Sequence, residues 1–230
     1  MAKEKNIKTK YEIIQVASRL FLEKGYTKTS PNAIARELQI SPGNVTYYYP
    51  TKEHILLVIV KMLCDFQWKL FQTEASQGME SISSICLEFM TVASACQENP
   101  KAKDFFTSVY QSEMCRDYLR NNHIERVKRV FQYHCSEWTE ERFIMTELMV
   151  MGLYFSVFTA DDRIIPLKIR IEAGLHMILR LYDIEEEARN SEIERVLHID
   201  YRRIGKKVYR AFVNYVENID EHILEDIIKN

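Results

Sequence analysis

The sequence predicts an all-α protein, with a three-helix helix-turn-helix unit at the N-terminus followed by a larger C-terminal helical bundle. Three observations predict it. Every apolar pattern along the chain repeats with a helical period, and no alternating run bounded by turn pairs marks a strand. Six glycines and five prolines in 230 residues leave few turns. With 47% hydrophobic and 28% charged residues, the composition is that of a globular chain able to enclose a sizeable core.

Residues 9–24 form the first expected helix: Thr9 and Glu12 make a capping box, Ile13, Ala17, Leu20 and Phe21 share a face, and Gly25 stops it. Ser30 caps the second, with Pro31 at its first position and Ile34, Ala35 and Leu38 facing inward. Ser41 and Pro42 repeat that start signal a few residues later, so the connection between the second and third helices is tight. Pro50 ends the third helix, and Thr51 caps a long fourth one through Ile55, Ile59, Met62, Phe66 and Leu70 to Ala75. Further helices are expected over 79–98, over 101–121 with Pro100 at its entry, over 123–137, and over 139–159 capped by Thr139. Another, over 166–182, carries Leu167, Ile171, Leu175, Ile178 and Leu179 on one face. Residues 185–194 read as a solvated helix or linker, 201–217 as a last long helix, and the rest as a weakly apolar tail.

Charge divides the chain unevenly. Lys and Arg outnumber Asp and Glu nine to five through Ile55 and trail them 22 to 28 afterwards, although the net charge is only −2. A basic front can meet a polyanion while an acidic body stays soluble. The five cysteines are widely spaced inside apolar helical patterns and read as small buried hydrophobes of a reducing compartment. A charged N-terminal decapeptide and no uncharged run of membrane-spanning length point to a cytoplasmic protein with no membrane partner. No metal or cofactor motif is found, and the absence of a glycine-rich phosphate loop, a GxSxG elbow or HExxH spacing argues against an enzyme.

At 100° per residue, the third helix places Val45 and Tyr49 on one side and Gly43, Asn44, Thr46 and Tyr47 across from them, with Tyr48 at the flank. Val45 and Tyr49 therefore belong to a core. The opposite side is small, uncharged and hydrogen-bonding, which suits base edges and phosphate oxygens. Ser41 and the free amides behind it form a positive dipole end, and Lys52 follows just after Pro50.

The run Thr29-Ser30-Pro31-Asn32-Ala33-Ile34-Ala35, followed by Ile40-Ser41-Pro42-Gly43-Asn44-Val45-Thr46-Tyr47-Tyr48-Tyr49-Pro50-Thr51-Lys52-Glu53-His54-Ile55, resembles the DNA-binding domain of the TetR family of bacterial repressors. The likeness spans residues 8–57. It implies base contacts from Pro42, Gly43, Asn44 and Thr46, and phosphate contacts from Ser41, Tyr47, Tyr48 and Lys52. It also implies double-stranded DNA with a palindromic operator as partner, a homodimer, and division into a DNA-binding domain, 1–55, and a helical ligand-binding and dimerisation domain, 56–230. Pro42 and Thr46 stand where the family often has Lys and Tyr, which alters base readout. Gln39 stands where the turn usually has Gly, which implies a left-handed residue under strain.

For the body the resemblance implies that 139–159 and 166–182 pair with their symmetry mates, with Leu148 and Leu175 as markers of the pairing faces. The helix over 201–217 is the alternative interface, near Val208 and Phe212. An unidentified small apolar or aromatic ligand is expected among Met62, Phe66, Leu70, Phe89, Phe106, Tyr110, Tyr133 and Phe158. The sequence thus reads as a sequence-specific regulator, a repressor released by a small molecule. The alternative is an architectural DNA-binding protein of the same fold that answers to no ligand, or to a protein.

Overall fold

The computed structural model describes the backbone of residues 2–76 and 82–229, and side chains over 8–70 and 82–228. The described residues form helices and turns only: α1 (Ala2–Lys24), α2 (Pro31–Glu37), α3 (Pro42–Tyr48), α4 (Lys52–Ser76), α5 (Ile82–Glu98), α6 (Pro100–Gln111), α7 (Glu113–Val130), α8 (Glu140–Thr159), α9 (Leu167–Leu181), α10 (Glu186–Leu197), α11 (Tyr201–Glu217) and α12 (Glu221–Lys229).

The N-terminal unit follows its local signals. Gly25, at φ 98°, closes α1, and the Thr29 hydroxyl donates to the Gly25 carbonyl at 2.9 Å. Ser30 Oγ accepts from the Ala33 amide, with Pro31 opening α2. The turn between α2 and α3 is a Schellman closure: Gln39 N–H donates to the Arg36 carbonyl and Ile40 N–H to that of Ala35. Gln39 sits at φ 56°, the left-handed conformation expected of it.

Four expectations are corrected. α1 starts at Ala2 rather than at a Thr9 cap; the strong helix formers Ala2, Lys3, Glu4 and Lys5 carry it back past the capping box. The helix expected over 101–121 breaks at Ser112, whose ψ of 119° ends α6 and starts α7. α7 then runs through Asn121 and Asn122 to Val130, because His123, Arg126 and Val127 are buried and packing overrides the weak helix propensity of Asn. The tail is a helix, α12, while 185–194 take the helical of their two expected forms, as α10 from Glu186 on, held by buried Ile193 and Val196. The expected start of α5 at Met79 lies outside the described residues.

Two apolar clusters hold the chain. One joins α1–α4 to part of α6 and to Phe212, Val216, Ile219 and Leu224 of the C-terminal arm. The other gathers α5 and α7–α10 around Phe89, Phe131 and Tyr182. α11 bridges them, lying so close on α5 that a Cβ at Gly205 would stand 2.8 Å from the Thr91 carbonyl oxygen. α4 passes residue 55 unbroken, so the helix that leaves the N-terminal unit is also a wall of the body. All five cysteines are buried and unbonded, and burial pushes the thiols of Cys64, Cys86 and Cys96 up to about 12. That makes them poor nucleophiles.

α8 is the one described helix long and apolar enough to cross a membrane. Here it is a packed element: its fully buried Glu147 receives the Tyr182 hydroxyl and lies 2.6 Å from His123 Nδ1. Its outward stripe is still apolar. Ile144, Met145, Leu148 and Met149 are exposed, and so are Ile169 and Met177 of α9. Met145, Met149 and Met177 line a common groove, and Gly152 faces open space with nothing within 4 Å of a Cβ built on it.

Candidate DNA-reading surface and interior cavity

α3 is seven residues long and is fixed from both ends. Ser41 Oγ accepts from the Asn44 amide at 3.3 Å, which leaves the Ser41 hydroxyl proton free to donate outward. Val45 is fully buried, and the Tyr49 hydroxyl donates to the Lys10 carbonyl at 3.2 Å, fastening α3 to α1. Burial pushes the Tyr49 phenol well above its ordinary pKa, so it remains a donor. Pro42, Gly43, Asn44, Thr46 and Tyr47 are exposed, as the helical wheel required; Tyr48 is half-buried, edge-on to Tyr47 with ring centroids 5.1 Å apart. Tyr47 is 74% exposed, an unusual position for a large aromatic with no bulk packing to do. The Thr46 hydroxyl is spent within α3, donating to the Gly43 carbonyl at 3.2 Å.

Residues 13–59 match the model of the bacterial regulatory proteins of the tetR family. Over these residues the chain is similar to the DNA-binding domain of the tetR family of bacterial regulators. Among similar proteins, an uncharacterised HTH-type transcriptional regulator, YuxN of Bacillus subtilis, is 43% identical over 53 residues, 23% of this chain and 18% of its own. HTH-type regulator HbdR of Aromatoleum is 38% identical over 56 residues, 24% of each chain. HTH-type regulator QacR of Staphylococcus aureus is 26% identical over 133 residues, 55% of this chain and 70% of QacR. The chain thus spans less than a quarter of two of these relatives, and with them the likeness is confined to the length of one small domain.

Within this domain, Lys52 does something its sequence position did not reveal. Its ammonium donates to the Tyr26 and Thr29 carbonyls at 3.0 and 3.1 Å and lies 3.8 Å over the Tyr26 ring. Two of its three N–H bonds hold the α1–α2 connection, leaving the third to donate elsewhere. Burial lowers its pKa, against the pull of Asp104. The same connection is gripped from the body, where Asp104 of α6 accepts the Thr27 amide at 2.9 Å. The α1–α2 connection is thereby clamped to α4 and α6 together.

The next residues of α6, Phe105 and Phe106, line a cavity of about 110 Å³. α4 contributes Leu63, Phe66 and Leu70, α5 Leu87, Thr91 and Val92, and α11 Ile204, Val208 and Phe212. A recess of about 20 Å³ adjoins it, sharing Leu63, Gln67, Glu88, Val92, Phe106 and Arg126. In the recess, Phe89, Tyr154 and Phe158 pack with ring centroids 5.0 to 5.6 Å apart. The Glu88 carboxylate accepts from Gln67 Nε2 at 2.8 Å and from the Arg126 guanidinium.

Of the residues proposed from sequence for a ligand, Phe66, Leu70 and Phe106 line the cavity and Phe89, Phe106, Tyr110 and Phe158 the recess. Met62 and Tyr133 stand outside both. Met62 is fully buried one turn nearer the DNA-binding helices, in the first cluster, and Tyr133 is 85% exposed beyond the end of α7. Sequence reasoning missed the polar interior, Glu88, Arg126, His123, Glu147 and Tyr154, and the whole α11 wall. One signal was available: Glu147 is a lone carboxylate in the middle of an otherwise apolar helix, a place where charge is kept only with a partner.

Proposed function

We propose that this protein is a TetR-family repressor that binds a palindromic operator as a homodimer and leaves it when a small apolar or aromatic molecule enters the interior cavity. The carrying observation is that the cavity and the DNA-reading unit share walls. α4 and α6 line the cavity, and the same two helices hold the α1–α2 connection through Lys52 and Asp104. A ligand that spreads α4 from α6 favours one tilt of the α3 face over another, and that difference in affinity between two shapes is what release requires. Release by a hundredfold needs a preference of about 2.7 kcal/mol.

The α3 face supports the assignment of base contacts to Pro42, Gly43, Asn44 and Thr46, and of phosphate contacts to Ser41, Tyr47, Tyr48 and the remaining donor of Lys52. The apolar stripe of α8 and α9 supports the dimer: a face carrying Met145, Leu148, Met149, Ile169 and Met177 is stable in water when covered by a copy of itself. α11 is the poorer candidate, because Phe212 is buried within the subunit. Leu175 is 1% exposed and belongs to the subunit core, so α9 presents Ile169 and Met177 instead.

Selection of bound sequences from a random duplex pool tests the reading. The expected product is a palindrome whose half-sites lie about one helical turn apart, roughly 34–36 Å. Recovery of single, unpaired half-sites, or of no preferred sequence, would refute it.

A further inference from the structure

Two buried polar atoms on the recess have no hydrogen-bond partner: His123 Nε2 and the Tyr154 hydroxyl. Each residue is only 5% exposed. Interiors rarely leave such atoms orphaned, because a buried polar atom without a partner loses its water and gains nothing. The charges around them are already matched. His123 Nδ1 meets Glu147 Oε2 at 2.6 Å, Tyr182 donates to the same carboxylate, and Glu88 holds Arg126 and Gln67. A charged ligand would therefore meet no unmatched counter-ion and would lose its hydration.

We infer that the cavity and recess together take a small, uncharged, mainly apolar molecule bearing one carbonyl oxygen, the oxygen accepting from Tyr154 and His123 in the recess and the body lying beneath α11. Burial lowers the pKa of His123, but Glu147 beside it and Glu88 beyond outweigh that and raise it. That shift favours the doubly protonated ring, in which Nε2–H donates, and the Tyr154 hydroxyl can donate in either state. A carbonyl oxygen has the two lone pairs needed to take one bond from each donor. A recess of about 20 Å³ admits an atom of that size, since one water needs roughly 10–15 Å³. The cavity of about 110 Å³ approaches the roughly 150 Å³ of an apolar cavity that holds benzene, so a single ring or an equally short chain fits. This deepens the ligand-responsive reading above and depends on it for its meaning in the cell.

Calorimetric titration of the full chain with acetophenone, ethylbenzene, benzoate and 1-phenylethylammonium tests it. Acetophenone is expected to bind about tenfold more tightly than ethylbenzene, which has the same shape without the oxygen, and more tightly than either ion. Tyr154→Phe is expected to remove most of the advantage over ethylbenzene while leaving ethylbenzene binding as it was. Equal affinity of ketone and hydrocarbon for the unaltered protein, tighter binding of either ion, an undiminished advantage in folded Tyr154→Phe, or no acetophenone binding at millimolar concentration would each overturn the inference. Should Tyr154→Phe fail to fold, the comparison of the four probes on the unaltered protein decides alone. Acetophenone that binds as expected yet leaves operator affinity in a gel shift unchanged would sink ligand release and leave the cavity assignment standing.

Discussion

The α3 face and the α8–α9 face both depart from an ordinary solvated exterior, and in opposite directions. Across α3 the exposed side chains are Pro42, Gly43, Asn44, Thr46 and Tyr47, small or hydrogen-bonding and uncharged. Across α8 and α9 they include Met145, Leu148, Met149, Ile169 and Met177, unable to hydrogen-bond at all. The first suits a polar groove whose edges must be matched, the second a surface that excludes water without matching anything. Neither the exposed α3 side chains nor the apolar stripe is itself charged, although Lys168, Glu172 and Arg180 stand exposed elsewhere on α9, so missing charge alone does not separate a nucleic-acid face from a protein face. Hydrogen-bonding capacity does.

The largest effect should come from putting charge on the apolar face. Leu148→Glu buries two like charges across a two-fold pairing and should weaken dimerisation at least a hundredfold, about 2.7 kcal/mol, with helicity unchanged. Sedimentation equilibrium beside circular dichroism checks it, and a dimer that survives would move the interface elsewhere. Leu175→Glu, on the inward side of α9, should instead abolish folding, which separates the two faces of one helix.

Beneath α8, Glu147→Ala leaves His123 and Tyr182 without their common acceptor and should cost about 3–5 kcal/mol in denaturant unfolding. The native pKa of His123 lies above its ordinary 6.5, so the stability this pair supplies is complete below that pH and fades as pH rises through the raised value. Unfolding measured from pH 6 upward should therefore show the unaltered protein losing its margin over Glu147→Ala. A constant margin would mean that the histidine is neutral in the folded state.

On the polar face the expected effects are smaller and differ in kind. Asn44→Ala should relax preference at one base position by about 1–3 kcal/mol, whereas Tyr47→Ala should weaken binding to all sequences alike and flatten its salt dependence. Equal loss on all sequences for Asn44→Ala would make it a phosphate contact. Smallest of all, Gln39→Gly relieves the left-handed residue of the turn and should raise stability by about 1 kcal/mol without changing operator affinity. A fall in thermal stability would show that the Gln39 side chain does more than occupy the turn.

The N-terminal unit was legible because its instructions are local. Ser30-Pro31 and Ser41-Pro42 start helices within a turn of themselves, and the wheel of α3 sorts Val45 from Asn44 without reference to any other element. Lys52 shows where that ends. Its neighbours Tyr26 and Thr29 lie more than twenty residues away, and nothing beside it in the chain says that two of its protons are engaged. Helix breaks in the body were misread for a related reason: Asn121 and Asn122 look like an ending, but burial of His123, Arg126 and Val127 carries α7 through them.

By itself, then, the sequence determined that the chain is helical, where α3 starts and stops, and which of its side chains face outward, because capping and helical periodicity act over only a few residues. Only the tertiary structure decided that α11 closes the cavity against α4 and α5, that Tyr133 stands outside it, and that Glu147 faces His123. Those pairings join residues far apart in the chain. Their energies come from burial and charge matching between helices, which have no counterpart in local spacing.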